Sequence, residues 1–354
     1  MTQSLNWPQL LSKLALGADL SRAEATWALD KIMAGNTDDG LIVALLIGLR
    51  QKGESLEEIS GLVDAMLTNS LKLDTGNQAV DIVGTGGDLI GTVNISSMAS
   101  ILTASAGVPV LKHGSRSASG KTGSSEMLEA LGIRLDLDAE QVASVFRETG
   151  ITFFFAPVFH PAMRYLAPIR KMLAVPTTFN FLGPLANPAQ PIATSLGVAN
   201  RSLAPLMARE MAARGRSALV FRGNDGLDEL TTTAGNQIWQ VSGGEVTEFE
   251  LNPTKLGLAR ANTEQLLGGD AAFNAQVARD LFAGVTKGNL AAVREIVILN
   301  AAGGVVSYEL AKDPSRADVD LDLRFIDAIE KVSVALDTGL AEAKLGQWVA
   351  ATAK

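Results

Sequence analysis

Three short stretches hold most of the chemistry in this sequence. The first, Asp81-Ile82-Val83-Gly84-Thr85-Gly86-Gly87-Asp88, runs a short apolar strand into a glycine-rich turn, and Thr92, Asn94, Ser96 and Ser97 follow at the opening of a helix. Glycines without a Cβ let the backbone come close to an anion, and free N–H groups at the next helix start point at it. The pattern reads as a cradle for phosphate or pyrophosphate, in which a serine oxygen could also join a magnesium shell. A plain strand-to-helix turn capped by Ser and Asn would use the same residues. The spacing is neither G-x-G-x-x-G nor a Walker A loop, because no Gly-Lys-Ser/Thr follows.

The second stretch, Lys112 to Ser124, also follows a short apolar run and carries three permanent cations and five hydroxyls among glycines. It would suit a multiply charged phosphate ligand, and it would equally serve as a solvated basic loop. His113 reads as a hydrogen-bonded structural residue. The third stretch is Gly226-Leu227-Asp228-Glu229, after an apolar strand ending at Phe221. Adjacent carboxylates at a strand end could hold magnesium, which takes carboxylate and phosphate oxygens and keeps several waters. Two surface acids would look the same.

Composition narrows the classes. A chain of 354 residues, 47% hydrophobic and 19% charged, is long enough for two domains and has globular composition. A net charge of −8 argues against a broad surface for nucleic acid or anionic lipid and leaves room for a local cationic pocket. The sequence has no cysteine and only His113 and His160 as histidines, which excludes thiolate chemistry and argues against zinc. The apolar run Leu41 to Leu49 is too short for a membrane span, which needs ~20 residues. The start of the chain lacks a secretory pattern. The expectation is a cytoplasmic protein with no membrane and no nucleic-acid partner.

The elements that must position these residues divide into two kinds. Residues 4 to 70 read as consecutive helices, with capping boxes at Ser21-Arg22-Ala23-Glu24 and Ser55-Leu56-Glu57-Glu58. Leu41 to Leu49 is apolar on every side, so it is expected to be buried between helices or at a subunit contact. From about residue 78, short apolar runs (Ala79 to Val83, Val108 to Leu111, Phe153 to Phe155, Ser195 to Val198, Ala218 to Phe221) alternate with helical segments (Ile95 to Ala106, Ser124 to Leu131, Leu203 to Ala213, Ala271 to Phe282). Asp270 is a candidate N-cap for the last. This predicts an α/β fold with a small all-helical domain, 1–72, and a large α/β domain, 73–354, around a mostly parallel central sheet. The proline-punctuated stretch 161–188 is expected as a helical crossover belonging with the first.

Taken together these pieces resemble the anthranilate phosphoribosyltransferase family, of the nucleoside-phosphorylase-like phosphoribosyltransferase fold. Four ordered segments carry the resemblance: Gly84 to Asp88 with Asn94-Ile95-Ser96-Ser97; Lys112-His113-Gly114 with Arg116; Phe179 to Leu185 with Asn187-Pro188; and Gly226 to Thr233. It implies transfer of the phosphoribosyl group from 5-phosphoribosyl 1-pyrophosphate (PRPP) to the amine of anthranilate, the second step of tryptophan biosynthesis from chorismate.

By resemblance, Gly84, Gly87, Asp88, Thr92, Asn94, Ile95, Ser96 and Ser97 contact PRPP. Lys112, His113, Gly114, Ser115, Arg116, Ser117, Ala118, Ser119, Gly120 and Ser124 complete that site. The resemblance implies about two magnesium ions per subunit at Ser96, Asp228 and Glu229, an ion preferring such oxygen donors. Arg170 meets the anthranilate carboxylate, with Gly84, Ser115, Ala156 and Pro157 around the acceptor and His160-Pro161 at its entry channel. Arg170 and Lys112 support catalysis without a classical acid or base, and a homodimer through the helical domain is implied. One departure bears on the acceptor. The family usually has Asn after Lys-His-Gly, and Ser115 offers one donor in place of two amide hydrogens. Leu89-Ile90 is also more apolar than the usual loop. Pyrimidine nucleoside phosphorylase shares the fold, but Asp228-Glu229 and the segment from Asn180 to Pro188 argue against it.

Overall fold

The computed structural model describes residues 5–116 and 122–354. It falls into two compact units, Met1–Lys72 with Ala156–Pro188, and Leu73–Phe155 with Ala189–Lys354.

The first unit is helical, with helices Trp7–Ala15, Arg22–Met33, Asp39–Lys52 and Leu56–Thr68. Both expected capping boxes form: the Ser21 and Ser55 hydroxyls accept from the N–H groups of Glu24 and Glu58, whose carboxylates accept in return from the serine N–H groups at 2.8 Å. Helix Asp39–Lys52 buries Ile42, Leu45, Leu46 and Leu49, whereas Leu41, Val43 and Ile47, to either side of that stripe, stay half-exposed within the chain. After residue 156 the chain adds short pieces, among them turns of 3-10 helix at Pro161–Tyr165 and Gly183–Leu185 and an α-helix at Ala167–Leu173. Each has a proline at its start, where the missing N–H is harmless.

The second unit is built on one seven-stranded sheet of β1 (Val80–Gly84), β2 (Val110–Gly114), β3 (Ile151–Phe155), β4 (Ala193–Gly197), β5 (Ser217–Gly223), β6 (Asn236–Ser242) and β7 (Glu245–Leu251). The order is β3-β2-β1-β4-β5-β6-β7, with the first five parallel and the β5–β6 and β6–β7 pairs antiparallel. β2 runs on past the apolar run through Lys112 and His113, because the ladder pairs these residues with Phe153 and Phe154. The β6–β7 hairpin turns through Gly243 and Gly244, both at positive φ. Asp270 caps helix Ala271–Phe282, accepting from Phe273 N at 2.8 Å.

Helices Ile95–Ser105 and Leu290–Lys312 pack on the sheet. The latter is long and apolar enough to cross a membrane, but 72% of its most apolar window is buried inside the unit, as befits a core helix. Its Gly303 and Gly304 allow that packing; a Cβ on Gly304 would stand 2.6 Å from Ile82 Cδ1. β1 and β4 are neighbours whose onward connections lead to opposite sides of the sheet order, which makes their carboxyl ends the switch point where open α/β sheets bind ligands.

Candidate active site

The third chemical stretch folds onto this switch point. Gly84 and Gly197 are paired at the ends of β1 and β4. Asp228 sits against both: a Cβ on Gly84 would lie 2.3 Å from its Oδ2, and one on Gly197 would lie 1.7 Å from its backbone oxygen. Asp228 Oδ2 accepts from Gly86 N at 2.6 Å, and Glu229 Oε1 accepts from Ser96 N at 3.1 Å in the first turn of helix Ile95–Ser105. The carboxylate pair thus meets both the glycine turn and the helix start. Buried asparagines clamp the chain that carries it. Asn300 accepts from Leu230 N at 2.9 Å and donates to Leu230 O at 2.8 Å, and Asn236 does the same for Thr231 at 2.7 and 3.0 Å.

The glycine loop is stitched on both sides. Thr85 N donates to Gly197 O at 2.9 Å, and beyond the turn Gly268 N donates to Gly91 O and Val93 N to Leu266 O, both at 2.9 Å. Gly86, Gly87 and Gly91 take positive φ, and so does Leu89 at +60°, with its side chain 81% exposed. For a leucine that backbone costs ~1 kcal/mol, so the apolar departure at Leu89 is a strained one.

Beneath the loop lies a dense set of charges. Lys112 is 1% exposed, and its ammonium donates to Ile82 O at 2.5 Å. Burial pulls its pKa down, while Asp81 and Glu229 push the other way. Asp81 is fully buried and accepts from His113 N at 3.1 Å. Burial, then the nearby Asp88, raises Asp228 to about 7. Burial and Asp228 raise Glu229 well above its ordinary value, with Lys112 opposing. A buried carboxyl, Asp228, and a half-buried one, Glu229, that repel each other, with one lysine as partial counterweight, favour a further cation. The donors are all oxygens, with Ser96 adjacent, and this fits magnesium. Among the described residues no group of three or more His, Cys, Asp or Glu gathers as a metal site, so phosphate oxygens and water would have to complete the shell.

The structure brings Gly84, Asp88, Ser96, Lys112, Asp228 and Glu229 together. Ser97 is buried with its hydroxyl unpartnered. Ser115 is exposed, and its carbonyl accepts from Ser124 Oγ at 3.4 Å. Arg116 is held by both oxygens of Glu129 at 3.0 Å and lies over the Phe155 ring. Ser117, Ala118, Ser119 and Gly120 lie outside the described residues. In the helical unit, half-buried Arg170 donates to Asn180 Oδ1 at 3.4 Å, Ala156 and Pro157 open the short helix Ala156–Phe159, and buried His160 meets Ala186 O at 3.0 Å. A cavity of about 340 Å³, bordered by Asn224, Thr232, Lys255 and Arg260, contains none of the glycine loop, Lys112 or the carboxylate pair.

Sequence reasoning missed Asp81 as a buried charge partner, and missed Gly197 and Asn300. Asp81 had a signal: a carboxylate inside an otherwise apolar strand must have a buried partner. Nothing local marked the others, whose roles depend on contacts with distant segments.

Fold and site together define a helical-plus-α/β protein of the glycosyl transferase class, with a glycine turn and a carboxylate pair at the sheet's switch point. Residues 8–70 match the helical bundle domain of the glycosyl transferase family, and residues 76–342 match its a/b domain. The chain is 51% identical over 352 residues to the anthranilate phosphoribosyltransferase of Leifsonia xyli subsp. xyli, covering 99% of this chain and all of that one. The crystal structure of the Thermus thermophilus anthranilate phosphoribosyltransferase superposes with a TM-score of 0.86 at 37% identity, covering 97% of this chain and 99% of that one. The Saccharomyces cerevisiae enzyme in complex with PRPP and Mg superposes at 0.87 and 25% identity, covering 98% of both chains. The chain belongs to the anthranilate phosphoribosyltransferase family.

Proposed function

We propose that this protein transfers the 5-phosphoribosyl group from PRPP to the amine of anthranilate, giving N-(5-phosphoribosyl)anthranilate and pyrophosphate, the second step of tryptophan biosynthesis from chorismate. The observation that carries this reading is the seating of Asp228 and Glu229 on the glycine turn and helix start at the β1–β4 switch point. There, N–H groups that favour phosphate oxygens stand beside carboxylates that favour a divalent cation.

Magnesium, about two ions per subunit, would be held by Ser96, Asp228 and Glu229, and when bound supplies positive charge to the pyrophosphate leaving group. The chain's own groups do the rest. The turn from Gly84 to Asp88 with Thr92, Asn94, Ile95, Ser96 and Ser97 binds the phosphates, helped by Lys112 to Gly120 and Ser124. Arg170 orients the acceptor by its carboxylate, near Ala156 and Pro157, and Gly84 and Ser115 contact the acceptor. As the bond from ribose C1 to pyrophosphate breaks through an oxocarbenium-like transition state, the acceptor nitrogen attacks C1. Negative charge then grows on the leaving group, where fixed donors and the Lys112 charge stabilise it. Holding both substrates in place supplies the remainder, so no strong general base is needed.

We further propose a cytoplasmic homodimer through the helical unit. The half-exposed apolar residues Leu41, Val43 and Ile47 support it. Asp228→Asn with Glu229→Gln tests the metal assignment. Magnesium-dependent turnover should vanish while circular dichroism stays native, and unchanged kinetics would remove the assignment.

A further inference from the structure

The outer edge of the phosphate cradle is braced by a chain of side-chain amides whose polarity is set from one end. Gly269 N donates to Asn274 Oδ1 at 2.8 Å. A backbone N–H can only donate, so the Asn274 oxygen must face it and its NH2 must face away. That NH2 donates to Asn94 Oδ1 at 2.9 Å. The Asn94 oxygen is thereby occupied, and its own NH2 is turned to Thr122 O, a long contact at 3.3 Å that engages one of two hydrogens.

Three observations show that this arrangement is built in. Asn274 is 1% exposed, in the first turn of helix Ala271–Phe282. Asn94 occupies the N-cap of helix Ile95–Ser105 yet makes no cap bond, unlike Ser21, Ser55, Asp138 and Asp270 at their helices. Its side chain is drawn off its usual task toward Asn274 and Thr122. Gly268 lets the two segments meet: a Cβ there would stand 2.7 Å from Thr92 O and 2.9 Å from Asn274 Oδ1.

We propose that Asn274 is a positioning residue for PRPP, holding Asn94 so that amide hydrogens, and not the amide oxygen, are presented to the substrate's phosphates. The inference rests on the reading above that Asn94 contacts PRPP. An inverted Asn94 would set its oxygen against both the Thr122 carbonyl and a polyanion, two acceptors facing acceptors. Because Asn274 acts through Asn94 on substrate binding, its loss should appear in KM for PRPP while kcat changes little.

The test is Asn274→Asp, which keeps the shape and the acceptor for Gly269 N but at neutral pH has no hydrogen to give Asn94. Titration calorimetry with PRPP and magnesium should show a Kd at least tenfold weaker than wild type, and KM for PRPP should rise in parallel with kcat within about twofold. Asn274→Ala, which frees Asn94 without inverting it, should lose less. In an Asn94→Ala background either Asn274 substitution should add little further loss, since the group it acts on is gone. Wild-type affinity in Asn274→Asp, or losses that add fully with Asn94→Ala, would overturn the proposal. A wild-type protein that binds no PRPP would instead overturn the reading of the site on which it rests.

Discussion

Gly84 and Asp228 are packed as one unit: the space a Cβ would take on Gly84 is held by Asp228 Oδ2, 2.3 Å from where that atom would stand. The end strand of the glycine loop and the carboxylate are therefore placed by each other. Gly84→Ala should push the Asp228 carboxylate off Gly86 N. A carboxylate can rotate, so unfolding free energy should fall by only ~1–2 kcal/mol while magnesium-dependent turnover drops at least tenfold. Gly197→Ala meets backbone instead, 1.7 Å from the Asp228 oxygen, and should cost more, ~3 kcal/mol or above. Denaturant melts with turnover assays on both variants check the contrast, and equal effects would contradict it.

Magnesium binding should depend on pH around neutrality. Asp228 is raised from 3.8 to about 7 by burial and then by Asp88, so its carboxyl holds its proton more tightly in the folded, ligand-free chain than unfolded. Its contribution to stability is fully present below about 4 and is lost as pH rises through 7. Below 7 magnesium must displace that proton. The magnesium concentration for half-maximal activity should therefore rise as pH falls from 8 to 6, and ligand-free protein should lose stability over pH 4 to 7. Asp228→Asn should flatten the stability profile.

The helical unit should have an acid limit set by His160. Burial holds this histidine down to about 4, from 6.5, although hydrogen bonds to Ala186 and Met66 favour its charged form and Lys72 opposes it. The depressed value means that stability is present above pH 6.5 and lost as pH falls toward 4. The loss should reach up to ~3 kcal/mol, at roughly 1.4 kcal/mol for each tenfold change in proton affinity. His160→Gln, which keeps a donor for Ala186 O, should melt with much weaker dependence on pH between 6.5 and 4.

Ser115 stands where the family usually has Asn, exposed at the end of β2. Ser115→Asn restores two amide hydrogens and should lower KM for anthranilate several-fold, a larger change than in KM for PRPP, whose site Ser115 only borders. An unaltered anthranilate KM would show that Ser115 takes no part in acceptor binding.

Much of this architecture was legible in the sequence because its signals are local. The hydroxyl–carboxylate spacing at Ser21 and Ser55 and the Asp270 cap are set within one helical turn, and the glycine turn after Val83 lies where strand period gives way to helix period. Four ordered motifs carried the resemblance. Long-range contacts were not legible. That Gly197 makes room for Asp228, that Asn274 meets Asn94 across 180 residues, and that Asn300 clamps Leu230 depend on how the sheet brings distant turns to one edge. The extent of β2 was hidden for a related reason, since Lys112 and His113 look like loop residues until β3 pairs with them. For the run Leu41 to Leu49, apolar residues all round do not reveal which of them the chain itself covers, and the structure shows these to be Ile42, Leu45, Leu46 and Leu49.

The most direct measurement follows the loss of anthranilate fluorescence in purified protein mixed with anthranilate, PRPP and magnesium. The account predicts loss that requires all components, with pyrophosphate appearing in equal amount. Persistent fluorescence, in protein that calorimetry shows to bind PRPP, would mean that the sugar site stands and that the acceptor pocket serves another amine.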